Sequence, residues 1–138
     1  MAPGTHGDIW SLCDNPATHL LRGYEGGVYI HPEAPRTNDD INVKINGMLA
    51  SDVTGGHVQI DLSIMNMIKI KKELDLCTVL QSDVMGHRPC TLSAGDVELE
   101  ATAFIPREIP KLPLKGDIRI NDQDGRTVTC IHLDFKLQ

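Results

Sequence analysis

The residues of this sequence that say most about its chemistry are its four cysteines, Cys13, Cys77, Cys90 and Cys130. Such thiols form disulfides, bind zinc or stay free, depending on their spacing and compartment. A structural zinc site favours ligands close in sequence, as in Cys-x-x-Cys, and the chain has no such pair. We therefore favour two disulfides, Cys13–Cys130 near the ends of the chain and Cys77–Cys90 around a short loop, with four free thiols as the alternative.

Histidine–carboxylate pairs are the second group of residues with possible chemistry. His132 and Asp134 share one face of a predicted strand, and so do His57 and Asp61. Such a pair inside an apolar cavity could supply the acid or base for a cyclisation or isomerisation. Pairs at this spacing usually face solvent, so we assign no catalytic residue. No serine nucleophile motif, phosphate loop or dinucleotide fingerprint is present, and no cofactor and no metal site are expected.

Length and charge limit the class of protein. The chain has 138 residues and a net charge of -6, which indicates one domain and argues against nucleic acid binding. No apolar run approaches the ~20 residues of a membrane-spanning helix. Residues 1–8 are expected to form a flexible N-terminus and residues 9–138 the domain. Because residues 1–8 lack the basic and apolar regions of a signal peptide, we expect an intracellular protein or a mature exported form.

Alternation of apolar and polar residues runs through most of the chain and predicts β-strands. The period is clearest at 58–64, where Val58, Ile60, Leu62 and Ile64 alternate with polar residues. The segment 65–80 alternates less cleanly, and we interpret it as an edge strand that runs into a loop. Strands are also predicted near 9–12, 28–30, 41–45, 97–104, 118–120 and 127–137. Seven to eight such strands predict an all-β antiparallel sandwich.

Turn residues divide the strands. The sequence Asp122-Gln-Asp-Gly125 predicts a hairpin, because glycine accepts positive φ. Val128 has the opposite parity to the apolar residues that follow it, which predicts a β-bulge near Cys130. Asn46-Gly47 is expected to end its strand or to mark a bulge. Three prolines in 105–113 exclude a central strand there, so this proline crossing is expected to join two strands.

Six short motifs follow one another along the chain: Gly-x-Val-x-Ile-x-Pro (26–32), Lys-x-x-Gly (44–47), Asp75-Leu76-Cys77, Cys90-x-Leu-x-x-Gly95, Ile105-Pro106…Pro110 and Asp124-Gly125…Cys130. This ordered set resembles the ML (lipid-recognition) domain family over nearly the whole chain, from about Trp10 to Leu137. Within that family the chain looks most like the fungal phosphatidylglycerol/phosphatidylinositol transfer proteins, and it resembles Niemann–Pick type C sterol carriers and mite group-two allergens more distantly.

This resemblance implies an immunoglobulin-like sandwich with an apolar cavity between its sheets, and it implies the same two disulfides. Thr91 stands where the family commonly has proline, and a third disulfide found in many members is lacking. The resemblance places the rim of the cavity at Thr91, Leu92, Ile109 and Leu112. The inward-facing residues expected to line the cavity are Val43, Ile45, Val58, Ile60, Leu62, Ile64, Leu99, Ala101, Ala103, Ile118, Ile120, Leu133 and Phe135.

The function that the resemblance implies is a carrier that binds one phospholipid or sterol molecule and transfers it. Its partners would be that ligand and, transiently, a membrane surface, which lysines in 69–72 and 107–115 could contact. A cavity enzyme and a protein-recognition module are the alternatives. We expect a secreted or vacuolar/lysosomal location if a signal peptide is removed, and an intracellular location otherwise. The sequence predicts no oligomeric state.

Overall fold

The computed structural model describes residues 10–22, 28–31 and 35–137, which form two antiparallel β-sheets. The predicted flexible N-terminus at 1–8 lies outside the described residues. One short helix, α1 (Leu76–Leu80), follows the sixth strand, and no described helix is long and apolar enough to cross a bilayer. The strands are β1 (Trp10–Leu12), β2 (Leu21–Arg22), β3 (Val28–His31), β4 (Asp39–Leu49), β5 (Gly56–Ile64), β6 (Ile68–Asp75), β7 (Gly95–Ile105), β8 (Pro113–Asp122) and β9 (Thr127–Lys136).

The first sheet has the strand order β1-β9-β8-β5-β6. Its register follows the alternating sequence, because apolar residues stand opposite apolar residues across neighbouring strands. Thus Val58 pairs with Ile120, and Ile60 with Ile118. The opposite face of the same strands carries the polar residues, so only one face of this sheet turns towards the interior.

The second sheet is built around β4, which pairs with β7 along its whole length and with β3 and β2 on its other side. Ile45 stands opposite Leu99, and Val43 opposite Ala101, on the inner face. The outer face is polar: the Lys44 ammonium lies 3.9 Å from the Glu100 carboxylate. The two inner faces pack against each other, and the predicted all-β immunoglobulin-like sandwich is confirmed.

Two local predictions in the last hairpin are confirmed. The Asp122 amide donates to the Arg126 carbonyl at 2.9 Å, and Gly125 has φ +79°, as the turn requires. The register between β8 and β9 shifts between Ile120 and Asn121, which leaves Val128 as the extra residue of a bulge. This bulge turns Val128 into the core, where it is 3% exposed.

Other local predictions are corrected by the structure. There are nine described strands instead of seven to eight, because the two-residue β2 pairs with the end of β4. Asn46-Gly47 neither ends β4 nor forms a bulge, since the pairing with β7 continues unbroken to Leu49. The segment 65–80 is an edge strand as predicted, but it ends in α1 instead of a loop. Asp75 caps this helix by accepting a hydrogen bond from the Thr78 amide at 3.0 Å.

The first strand is fixed to the last by the Cys13–Cys130 disulfide, whose Cα atoms lie 5.0 Å apart. Beside it, the Arg119 guanidinium donates two hydrogen bonds to the Asp14 carboxylate, at 2.7 and 3.0 Å, and lowers the pKa of Asp14. His19 follows in the chain and is fully buried. Burial lowers the pKa of His19, and the Cys13 backbone and the Asp14 charge oppose this shift only in part.

Candidate functional site: an open apolar end of the sandwich

The two ends of the sandwich differ in how well they are packed. At the end where β4 finishes and β5 begins, which we call the packed end, a core cluster fills the space between the sheets. Helix α1 and the Cys77–Cys90 disulfide, with Cα atoms 4.6 Å apart, close this end. The buried cluster consists of Leu20, Leu21, Leu49, Val53, Val58, Leu76, Leu80, Leu92, Leu99 and Val128.

At the opposite end, which we call the open end, the apolar inner faces keep accessible surface. This end lies where β7 leads into the proline crossing and β5 turns into β6. Protein interiors normally pack to near-crystal density, so a row of half-buried apolar residues between two sheets indicates space that the chain does not fill. The half-buried inner-face residues are Ile30, Ile41, Val43, Ala101, Ala103 and Ile105 on the second sheet and Leu62, Ile70, Leu114, Leu133 and Phe135 on the first.

The structure divides the predicted cavity residues into three groups. Val58 and Leu99 are buried in the core cluster, so they form part of the packed end instead of an open wall. Ile64 is also buried, at 5% exposure, beneath the β5–β6 turn. Ile45, Ile60, Ile118 and Ile120 are half-buried and pack against the core cluster. The remaining predicted residues, Val43, Leu62, Ala101, Ala103, Leu133 and Phe135, lie at the open end.

Several wall residues were missed by the sequence analysis. Ile41, Ile70 and Leu114 lie on the same inner faces as the predicted residues and are equally half-buried. Parity alone could have identified Ile41, because it precedes Val43 by two positions on β4. Leu114 directly follows the predicted proline crossing of 105–113, and the structure places it on β8 opposite Ile64.

Gly116 leaves a gap in the inner wall of the first sheet. It stands on β8 between Leu62 of β5 and Leu133 of β9. A Cβ atom at this position would lie 2.2 Å from the Asp61 carbonyl oxygen, so no other residue fits without a shift of the backbone. The strands therefore approach closely here, and the wall of the open end has no side chain at its centre.

The predicted rim residues lie at opposite ends of the sandwich. Ile109 and Leu112 are half-buried in the proline crossing, at the open end. Thr91 and Leu92 lie at the packed end, and Leu92 exchanges two backbone hydrogen bonds with Val53 at 2.8 and 2.9 Å. Leu92 is 7% exposed and belongs to the core cluster. The Thr91–Leu92 segment therefore does not border the open end.

The two histidine–carboxylate pairs considered from the sequence do not form. His132 Nδ1 lies 2.7 Å from Asp117 on the neighbouring strand, instead of contacting Asp134. His57 lies 3.9 Å from Glu73, instead of contacting Asp61. All of these side chains lie on the outer face of the first sheet, because their residues occupy the polar positions of the alternating strands.

Titratable groups are rare on the inner faces. Among the residues that the structure describes, three titratable side chains occupy inner-face register positions: Asp39 on β4, Lys72 on β6 and Asp122 on β8. Asp39 and Lys72 are exposed. Asp122 is buried at the packed end, where it accepts a hydrogen bond from the Arg126 guanidinium at 2.9 Å. All four cysteines are in disulfides, which excludes both the zinc and the free-thiol alternatives. The walls of the open end can therefore exclude water and contact an apolar molecule, but among the described residues they offer no buried acid or base.

Lysines concentrate around the open end. The segments 64–72 and 109–116 contain five lysines and no acidic residue, in a chain of net charge -6. Lys69 on β6 and Lys115 on β8 both stand opposite Ser63 of β5, on either side of it. Adjacent strands are ~4.8 Å apart, so these two lysines start about 10 Å from each other.

A β-sandwich with one packed end and one accessible apolar end is typical of proteins that bind an apolar molecule between their sheets. The chain belongs to the ML domain family, whose family model matches residues 7–137. The resemblance noted from the short motifs is thereby confirmed.

Relatives and solved structures agree with this assignment. The chain is 27% identical over 129 residues to a putative phosphatidylglycerol/phosphatidylinositol transfer protein of Dictyostelium discoideum, with 94% of this chain and 86% of that protein covered. It is 26% identical to a phosphatidylglycerol/phosphatidylinositol transfer protein of Mycosarcoma maydis, with 79% and 56% covered.

Two crystal structures share the fold. A Niemann-Pick type C2 protein from Japanese carpenter ant superposes with a TM-score of 0.67 at 12% identity, covering 94% of this chain and 99% of that one. Chicken MD-1 complexed with lipid IVa superposes with a TM-score of 0.65 at 17% identity, covering 93% and 87%.

Proposed function

We propose that this protein binds one phospholipid with an acidic headgroup, holds its acyl chains between the sheets at the open end, and carries it between membranes. The observation that carries this proposal is the set of half-buried apolar residues on both inner faces of the open end. An acyl chain that covers these residues is removed from water, which contributes about 25 cal/mol per Å2 of apolar surface. Binding of this kind needs no catalytic group.

The relatives favour a carrier over the cavity enzyme, because the two described above are named as transfer proteins. The inner faces favour it too, because an enzyme of this type would hold an acid or base inside the cavity. Lys72 on β6 and Asp39 at the start of β4 are both exposed, so they can contact a headgroup but not the reacting centre of an enclosed molecule.

The lysines favour an acidic phospholipid over a sterol as the ligand. A sterol presents a hydroxyl group, which gains little from five lysines, whereas a phosphodiester gains from each lysine within reach. Lys69 and Lys115 stand close to the end of the inner wall, near Ile64 and Leu114. A lipid with its tails inside would therefore present its phosphate to these lysines.

We place the protein in an extracellular or lumenal compartment. Its two disulfides, Cys13–Cys130 and Cys77–Cys90, persist in oxidising compartments and are rare in the reducing cytosol.

Native mass spectrometry of the purified protein, before and after organic extraction, tests the proposal. We expect a co-purified phospholipid that extraction removes, and rebinding of added short-chain phosphatidylglycerol that cholesterol displaces poorly. If cholesterol displaces phosphatidylglycerol at equal concentration, the preferred ligand is a sterol and not an acidic phospholipid. A protein that binds neither molecule would refute the carrier.

A further inference from the structure

The turn between β5 and β6 holds a methionine in an unfavourable backbone conformation. The Met67 amide donates to the Ile64 carbonyl at 3.0 Å, which closes a two-residue turn. Its central residues, Met65 and Asn66, have φ +50° and +59°. This left-handed geometry suits asparagine and glycine, whereas a long side chain such as that of Met65 rarely adopts it. A strained residue that the fold retains calls for a functional reason.

The same turn exposes three large apolar side chains next to one another. Met67 is 80% exposed, Ile68 49% and Met65 48%. We call Met65, Met67 and Ile68 the hairpin tip. Met48, also strongly exposed at 56%, lies at the packed end of β4. Contiguous exposed apolar side chains on a small domain indicate an interaction site.

The hairpin tip adjoins the open end and its lysines. The Met65 amide donates to the Pro113 carbonyl at 2.9 Å, which fixes the turn to the end of the proline crossing. Lys69 directly follows Ile68, and Lys115 lies two residues after Pro113 on the neighbouring strand. Among the described residues, neither of these two lysines forms an ion pair, whereas Lys71 lies 4.0 Å from Asp61. An apolar tip flanked by unpaired lysines matches the interface of an anionic bilayer, which is apolar below a negatively charged surface.

We propose that the hairpin tip inserts into the surface of an anionic lipid bilayer, with Lys69 and Lys115 at the level of the headgroups. Methionine suits this role, because its flexible, polarizable side chain adapts to irregular apolar surroundings. The inserted tip holds the open end against the bilayer, so a lipid can pass between membrane and protein without crossing water. This inference rests on the proposed function, since it names the surface from which the ligand is loaded.

The first test is partitioning onto phosphatidylcholine vesicles with and without phosphatidylglycerol. The variant Met65→Asn with Met67→Ser removes the apolar surface of the tip and places asparagine where the backbone favours it. We expect its partition coefficient to fall about tenfold or more, while its thermal stability stays the same or rises. The matched control Met48→Ser removes an equally exposed methionine at the packed end, and we expect no change.

The second test separates the lysines from the methionines. Lys69→Gln with Lys115→Gln lowers binding to phosphatidylglycerol vesicles by roughly fivefold per lysine at low salt. It also weakens the salt dependence, because charge attraction is screened. The methionine variant keeps the salt dependence of the parent protein.

Three results distinguish this inference from the proposed function. Equal vesicle binding by the parent and the methionine variant refutes membrane insertion and leaves the tip as a contact for a protein partner. Failure of the parent to bind these vesicles at all also refutes it. Failure of the parent to bind short-chain phosphatidylglycerol in solution, while the tip effect on vesicles persists, refutes the carrier but not the membrane contact.

Discussion

Ala101 lies on the inner face of β7 opposite Val43, where the open end meets the core cluster at Leu99. Replacing it with tryptophan adds an indole ring to the space between the sheets. If that space is unfilled, the ring is accommodated there and occupies the position of the ligand. If the sheets pack closely, the ring has no room and forces the strands apart. The variant Ala101→Trp therefore separates a binding cavity from an ordinary core.

The two cases differ in magnitude. An indole ring has ~200 Å2 of accessible surface. If half of this surface covers inner-face residues that the ligand would otherwise contact, the apolar area that the ligand buries falls by ~100 Å2. At ~25 cal/mol per Å2 this is about 2.5 kcal/mol, or roughly 70-fold in Kd. In a packed core, overfilling costs about 1–3 kcal/mol of folding stability instead. That cost would lower Tm by ~2–4 °C for each kcal/mol.

The measurements are displacement of a fluorescent phospholipid and thermal unfolding of the ligand-free protein. We expect Ala101→Trp to weaken binding by the amount above and to shift Tm by less than about 2 °C. Thr102→Trp is the matched control, because Thr102 is the next residue of β7 and faces away from the interior. Its hydroxyl accepts a hydrogen bond from the Asn42 side-chain amide on the outer face. A loss of stability as large as the loss of binding would refute an open cavity.

Two further predictions concern stability. Gly116→Ala should lower the free energy of unfolding by more than about 2 kcal/mol in urea denaturation, because its Cβ would lie 2.2 Å from the Asp61 carbonyl oxygen; a neutral effect would contradict the close strand approach. Burial lowers the pKa of His19 below its usual 6.5, so the unfolded chain binds the proton more readily than the folded one. Stability is therefore intact above pH 6.5 and decreases as pH falls from there towards the folded pKa, with a slope of up to ~1.4 kcal/mol per pH unit. His19→Leu should reduce this slope in denaturation series across pH, and an unchanged slope would assign it to another group.

Features that depend on local alternation were predictable. The parity of Val58, Ile60 and Leu62 gave the inner face of β5, because a strand turns successive side chains to opposite faces. The opposite parity of Val128 gave the bulge in β9, and the turn residues before it gave the hairpin. Each of these features is decided by the residues next to it in sequence.

Features that depend on tertiary position were not predictable in the same way. Alternation identifies the inner face of a strand but not which of its ends is packed, so Val58 and Ala101 looked alike. The structure places the first in the core cluster and the second at the open end. Leu92 was assigned to the rim from the family resemblance, which does not show that its backbone pairs with Val53 in the interior. The five residues of α1 are too few to show helical periodicity, and the helix forms because it covers the packed end.

The unequal packing of the two ends has a consequence for the motion of the empty protein. Strands β4, β5, β7 and β8 each run from the packed end to the open end, so a single strand has strong support at one end and weak support at the other. Local opening follows the density of buried contacts. We therefore expect backbone amides near Leu49 to exchange their hydrogens with solvent slowly, and those near Ile41 to exchange faster. If a lipid binds at the open end as proposed, it would supply the missing contacts, so its binding would slow exchange there and its release would restore the faster exchange.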